Sequence, residues 1–176
     1  AEAHADLGVK YCVQPWLVEE RRVSADSYRA FVNELNLIGE VMKRYGIRFA
    51  YHNHDFEFFE VDGLTPFTDI FMPESDPELL TFELDNYWVT RAGFDPVEVM
   101  KAFPGRFELW HIKDMEDSED QFFAPVGEGV IDYQRIFNVK ETAGMKYFFV
   151  EQDRTRDGNA MQAIETSFNN LKNLLA

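Results

Sequence analysis

Two patterns alternate along this chain: short runs of apolar residues, and longer stretches with apolar positions three and four apart. The first suits strands covered on both faces, and the second suits amphipathic helices. Val9 to Val13, Arg48 to His52, Leu80 to Asp85, Phe107 to Ile112 and Tyr147 to Glu151 read as strands. Ser24 caps a helix to about Tyr45, with Tyr28, Phe31, Val32, Leu35, Ile38, Val41, Met42 and Tyr45 on its apolar face, and Gly46 stops it. Thr65-Pro66 opens a short helix through Phe71. Asp95-Pro96 opens a helix that Pro104-Gly105 ends, and Asp132 caps one that Gly144 stops. A last helix carries Met161, Ile164, Phe168, Leu171 and Leu174. Ala1 to Gly8 read as the end of a helix and its glycine stop, so we expect further sequence upstream. Strands alternating with helices predict one α/β domain built on a parallel sheet.

The polar residues fall at one end of these strands. Tyr51-His52-Asn53-His54-Asp55-Phe56-Glu57-Phe58 puts two imidazoles and two carboxylates where a buried strand finishes. Side chains alternate along a strand, so His52 and His54 share a face, His54 lying about 6–7 Å further out. The last four strands each end in a potential metal ligand: His52, Asp85, His111 and Glu151, at intervals of 33, 26 and 40 residues. Singly, Asp85 reads as a turn residue, His111 as a core histidine and Glu151 as a surface carboxylate. Four at equivalent positions point instead to one site, because the strands of a parallel barrel deliver their C-terminal ends to a common mouth. Two imidazoles and two carboxylates suit one divalent metal ion, with Mn, Co, Fe or Zn favoured over the oxygen-seeking Mg.

Other residues join this set as candidate substrate contacts. Lys113 follows His111, Trp88 lies three residues past Asp85, Trp16 follows the first strand, and His54 and Glu57 follow His52. Aromatic faces stack on sugar rings while polar groups hold the hydroxyls. Gly127-Glu128-Gly129 forms a tight turn near the same mouth, without the pattern of a phosphate cradle.

The chain has 176 residues with a formal net charge of −15, which argues against nucleic acid and anionic membranes as partners. No apolar run approaches a membrane span. A single cysteine, Cys12, allows no intrachain disulfide and fits a reducing compartment, so we expect a cytoplasmic protein.

Taken together, YHNHDFEF at 51–58, LDNYWV at 84–89, PGRFELWHIKD at 104–114, VGEGVID at 126–132 and VEQD at 150–153 give a chain that resembles the sugar phosphate isomerase/epimerase family, the xylose isomerase-like TIM barrels. The resemblance implies a (β/α)₈ barrel holding one divalent metal at its mouth. It implies that Asp85, His111 and Glu151 fill three of the family's ligand positions, the first of which, usually Glu followed by Asn-His, falls on His52. Glu151 is then the principal proton-transfer group, with His52, His54 or Glu57 as second base, and His54 contacts substrate rather than metal. Only the last five strand-helix units of such a barrel are present, which leaves two open parallel edges. From this we expect aggregation or a homo-oligomer, unless the preceding strands complete the barrel.

The leading reading is an isomerase or epimerase acting on a sugar, keto-sugar or cyclitol through proton abstraction next to a carbonyl. One alternative is a keto-sugar or inosose lyase or dehydratase, which needs only one base. A phosphoesterase of the endonuclease branch conflicts with the acidic charge, and the remaining alternative is a sugar-binding barrel without catalysis.

Overall fold

The computed structural model describes residues 1–176, which form two units, Ala1–Glu83 and Leu84–Ala176; the boundary falls inside one strand, Leu80–Asp85. The first unit contains α1 (Glu2–Asp6), β1 (Tyr11–Gln14), α2 (Ala25–Arg44), β2 (Arg48–His52), α3 (Met72–Glu74) and β3 (Leu80–Asp85). The second contains α4 (Asn86–Arg91), α5 (Pro96–Ala102), β4 (Leu109–Ile112), β5 (Asp114–Met115), β6 (Phe123–Ala124), α6 (Tyr133–Phe137), α7 (Lys140–Ala143), β7 (Tyr147–Val150) and α8 (Ala160–Leu174). The five expected strands make a parallel sheet in the order β1-β2-β3-β4-β7, with β1 and β7 at its edges. This is the arrangement expected of five consecutive strand-helix units of a barrel. Register sets which side chains meet: Tyr11 lies opposite Arg48, Phe49 opposite Leu80, His52 opposite Glu83 and Leu109 opposite Tyr147.

Local chemistry explains most element boundaries. Ser24 caps α2 by accepting the amide of Ser27, whose hydroxyl returns the bond in a capping box. Asp95 caps α5, with Pro96 at the first helical position. The segment expected as one helix from Asp132 is instead two, α6 and α7, broken at Asn138-Val139. The break lets α6 bury Tyr133, Ile136 and Phe137 while α7 buries Ala143. Thr65-Pro66 leads into a turn of π-helix, Phe67–Phe71, before α3. Three elements were not expected. Asp85 caps α4 directly after β3, and the two-residue strands β5 and β6 pair antiparallel.

The buried faces of the two long helices also differ from the apolar pattern. In α2 the buried line is Ala25, Tyr28, Phe31, Val32, Leu35 and Gly39, while Ile38, Val41 and Tyr45 remain exposed. Gly39 brings the helix backbone against Leu79, where a Cβ would sit 2.6 Å from the Leu79 carbonyl oxygen. In α8 the small residues Ala163 and Ser167 are buried with Leu171, and Met161 and Phe168 are exposed. Ser167 Oγ accepts the Val126 amide, and Asn170 Nδ2 donates to the Val126 carbonyl, which fixes the helix by its polar side. The apolar stripe of α8 therefore lines an open groove of about 460 Å³ with Phe148, Val150, Ile164, Phe168 and Leu171.

The Gly39 contact gives a stability prediction. Glycine to alanine inside a helix normally gains about 1 kcal/mol. Here the obstruction is backbone, which cannot swing aside, and overpacking costs about 1–3 kcal/mol. Gly39→Ala should therefore be destabilising, read as a lower urea midpoint; a midpoint at or above wild type would contradict the close approach.

Candidate functional site

At the C-terminal ends of β1 and β2, His52 is buried, and its Nδ1 lies 3.1 Å from Glu83 Oε1. A neutral imidazole that donates Nδ1–H to a carboxylate presents the lone pair of Nε2, the arrangement found behind metal-ligating histidines. The His54 ring sits 4.9 Å from that of His52, edge to face, and 4.4 Å from Trp16. Phe56 stacks parallel to His54 at 5.7 Å. Arg22 locks this group: its guanidinium lies 3.4 Å over Phe56 and 4.3 Å over Trp16 while it donates to the Leu17 carbonyl. Trp16 remains 45% exposed.

Glu57, expected among the substrate contacts, has no exposed surface. Its Oε1 accepts from the Tyr51 hydroxyl at 2.5 Å and its Oε2 from the His54 amide at 2.9 Å. The carboxyl thereby ties the turn that carries His54 to the strand before it. Burial pushes Glu57 up to about 7, against the Tyr51 hydroxyl, the His54 amide and Arg22, all of which favour the ionised form.

In the second unit, Asp85, His111, Lys113 and Glu151 converge. Asp85 is fully buried; Oδ1 accepts the Trp88 amide at 3.0 Å as the cap of α4, and Oδ2 lies 3.7 Å from His111 Nδ1. The same ring nitrogen is 3.0 Å from Glu151 Oε2. Lys113 Nζ contacts Glu151 Oε2 at 2.6 Å, Asp85 Oδ2 at 3.1 Å and Asp153 Oδ2 at 3.1 Å, and lies 5.7 Å from the Trp88 ring centre. The hydrogen bond from His111, reinforced by Lys113, holds Glu151 down at about 2, so it is ionised at neutral pH. The three carboxylates together drive Lys113 above its ordinary value despite burial.

The Lys113-Asp114 dipeptide is held from both sides. Asp114 is buried and accepts backbone amides from Met115, Gly127, Gly129 and Ile131. A Cβ on Gly129 would fall on the Asp114 carboxylate, so that glycine is required by the close approach. Tyr133 donates to the Lys113 carbonyl, and Asn86 Nδ2 to that of His111. One partner was missed from sequence: Glu83 sits two residues before Asp85, a spacing that itself signals a shared face.

A family model described as xylose isomerase-like TIM barrel matches residues 1–174. An inosose dehydratase of Clostridium perfringens is 25% identical over 149 residues, covering 75% of this chain and 49% of that protein. One from Geobacillus thermodenitrificans is 24% identical over 147 residues, covering 73% and 48%. The chain spans about half the length of the curated relatives it matches. Among solved structures, a sugar phosphate isomerase/epimerase from Parabacteroides distasonis has a TM-score of 0.85 at 31% identity, covering 97% of this chain and 60% of that one. The IOLI protein with a bound zinc atom has a TM-score of 0.77 at 22% identity, covering 99% and 66%, a likeness of fold. No helix is long and apolar enough to cross a membrane.

Glu57 provides a pH test. Its folded value of about 7 stands above the ordinary 4.5, so between these values the native state keeps a proton that the unfolded chain has released. Stability must then fall as pH rises through that window. Glu57→Gln should flatten the dependence of unfolding free energy on pH between those limits, as measured by urea titrations; parallel curves for wild type and variant would refute the assignment.

Proposed function

The chain belongs to the xylose isomerase-like TIM barrel family, and on that footing we propose that it forms part of a metal-dependent enzyme acting on a sugar, keto-sugar or cyclitol. The reaction is proton abstraction at a carbon next to a carbonyl, leading to isomerisation or epimerisation. The convergence of Asp85, His111 and Glu151 carries this reading. Donors that bind one ion through bonds of about 2.0–2.2 Å lie roughly 3.0–3.5 Å apart. His111 Nδ1 is 3.0 Å from Glu151 Oε2, inside that range, and 3.7 Å from Asp85 Oδ2, just beyond it. His52, Asp85 and His111 supply two imidazoles and a carboxylate, a donor chemistry suited to Mn, Co, Fe or Zn.

A divalent ion held by His52, Asp85, His111 and Glu151 would polarise the carbonyl and acidify the neighbouring C–H. The protein's own groups do the rest. Ionised Glu151 accepts the proton. Lys113 holds that carboxylate in place and supplies positive charge beside it. Trp88 and Trp16 offer apolar faces for the substrate ring, and His54, fixed through Glu57, directs its imidazole toward a hydroxyl.

Elimination is the second reading, favoured by His52 in a position the family usually fills with Glu. Loss of water needs one base where epimerisation by the usual route needs two. Similarity to inosose dehydratases points the same way. Incubation of the full-length protein with ketoses and inososes in D₂O separates the two: α-deuteration with the hydroxyls retained supports isomerisation, and an unsaturated product supports elimination. Absence of both overturns the enzyme reading.

Glu151→Gln should lower turnover by about 10²–10⁴-fold, the usual weight of a general base, with little change in substrate binding. Near-normal turnover in steady-state kinetics would remove Glu151 from the chemistry. Chelation should abolish activity, and added Mn²⁺ or Zn²⁺ should restore it.

A further inference from the structure

Lys113 occupies an unusual place for a lysine. Its side chain is 4% exposed, and its ammonium touches Asp85, Glu151 and Asp153. Burying a charge is tolerated only when it is paired. Three carboxylates and one ammonium leave two net negative charges, the deficit a divalent ion would fill.

The contacts also compete. Lys113 uses Glu151 Oε2 and Asp85 Oδ2, the two carboxylate oxygens nearest His111 Nδ1. These are the atoms that a metal held by Asp85, His111 and Glu151 would take. A divalent ion and an ammonium sharing one oxygen repel at short range in a partly dry site. The third contact differs: Asp153, with 31% of its side chain exposed, lies two residues beyond Glu151 and is not one of the proposed metal ligands. The four-carbon stem lets the ammonium swing between the two seats, with the Trp88 face beside its path.

We propose that Lys113 is an internal counter-ion of the metal site: its ammonium bridges Asp85 and Glu151 before a metal is taken up, and retires to Asp153 when the metal arrives. Lys113 thus holds the ligand carboxylates together without a metal, and Asp153 sets how readily it yields. This role rests on the metal reading above and adds to the substrate contact expected of Lys113.

Calorimetric titration of the full-length protein with Mn²⁺ and Zn²⁺ tests it without any activity assay. Lys113→Met removes the competing charge and should tighten metal binding roughly tenfold, a consequence of short-range repulsion. Lys113→Arg keeps the charge on a rigid fork that grips carboxylates, and should bind metal no more tightly than wild type. Asp153→Asn removes the retreat and should weaken binding. In the Lys113→Met background most of that weakening should vanish, because no ammonium remains to be parked. A merely electrostatic role for Asp153 would leave its effect intact in both backgrounds and would overturn the proposal. So would unchanged or weaker binding by folded Lys113→Met. If Lys113→Met does not fold, the Arg and Asn variants decide: tighter binding by Lys113→Arg, or unchanged binding by Asp153→Asn, overturns it. Wild type that binds neither ion overturns the metal reading, and this role falls with it.

Discussion

A buried carboxylate must find a positive partner, and that requirement organises the second unit. Asp85, Glu151 and Asp153 surround Lys113, and His111 lies against two of them. Each of these residues comes from the end of a strand or the residues just past it. The ends of β3, β4 and β7 therefore cannot shift independently without uncovering a charge. Breaking one partner of such a set leaves another unpaired, which costs about 3–5 kcal/mol when the pair is truly buried. Asp85 does double duty: one oxygen starts α4, and the other faces Lys113 and His111.

A second anchor lies behind the first. Asp114 collects four backbone amides, and in doing so draws the Gly127-Glu128-Gly129 turn over the end of β4. The backbone that carries Lys113 is thereby clamped between the sheet and this turn, with Tyr133 closing the remaining carbonyl. In the first unit Glu57 has the same function, tying the His54 amide to the Tyr51 hydroxyl so that the imidazole is carried by a rigid turn. In both places a buried acid fastens the backbone beside a proposed site residue, Lys113 in one and His54 in the other.

The strands were legible because apolar runs between glycines and prolines have few other readings, and their ends announced His52, Asp85, His111 and Glu151. The helix faces were less so. Hydropathy favours Ile164 and Phe168 as the buried side of α8, yet Ala163 and Ser167 win, because small residues let the helix settle onto Val126 through hydrogen bonds. Gly39 of α2 is the same case: a backbone contact decides, and no hydrophobic scale registers it. Helix α4 was hidden because Asp85 was read for its chemistry and not also as a cap. The strands β5 and β6 were hidden because each is only two residues long. Glu57 was read as a substrate contact or second base because nothing local says that Tyr51, on a buried strand, would point its hydroxyl at it.

The imidazole at position 52 shapes what chemistry the proposed site can perform. One ring nitrogen of His52 faces Glu83, and an imidazole has only two ring nitrogens. A nitrogen lone pair can hold a metal or take a proton, but not both at once. A carboxylate has two oxygens and can do both, and one oxygen of Glu151, the proposed base, faces His111 and Lys113. On the proposed reading, proton transfer then falls to Glu151 alone. Epimerisation through two equivalent acids fits such a site poorly. Reactions that one base can complete, such as elimination or transfer of a proton along one face of the substrate, fit it well.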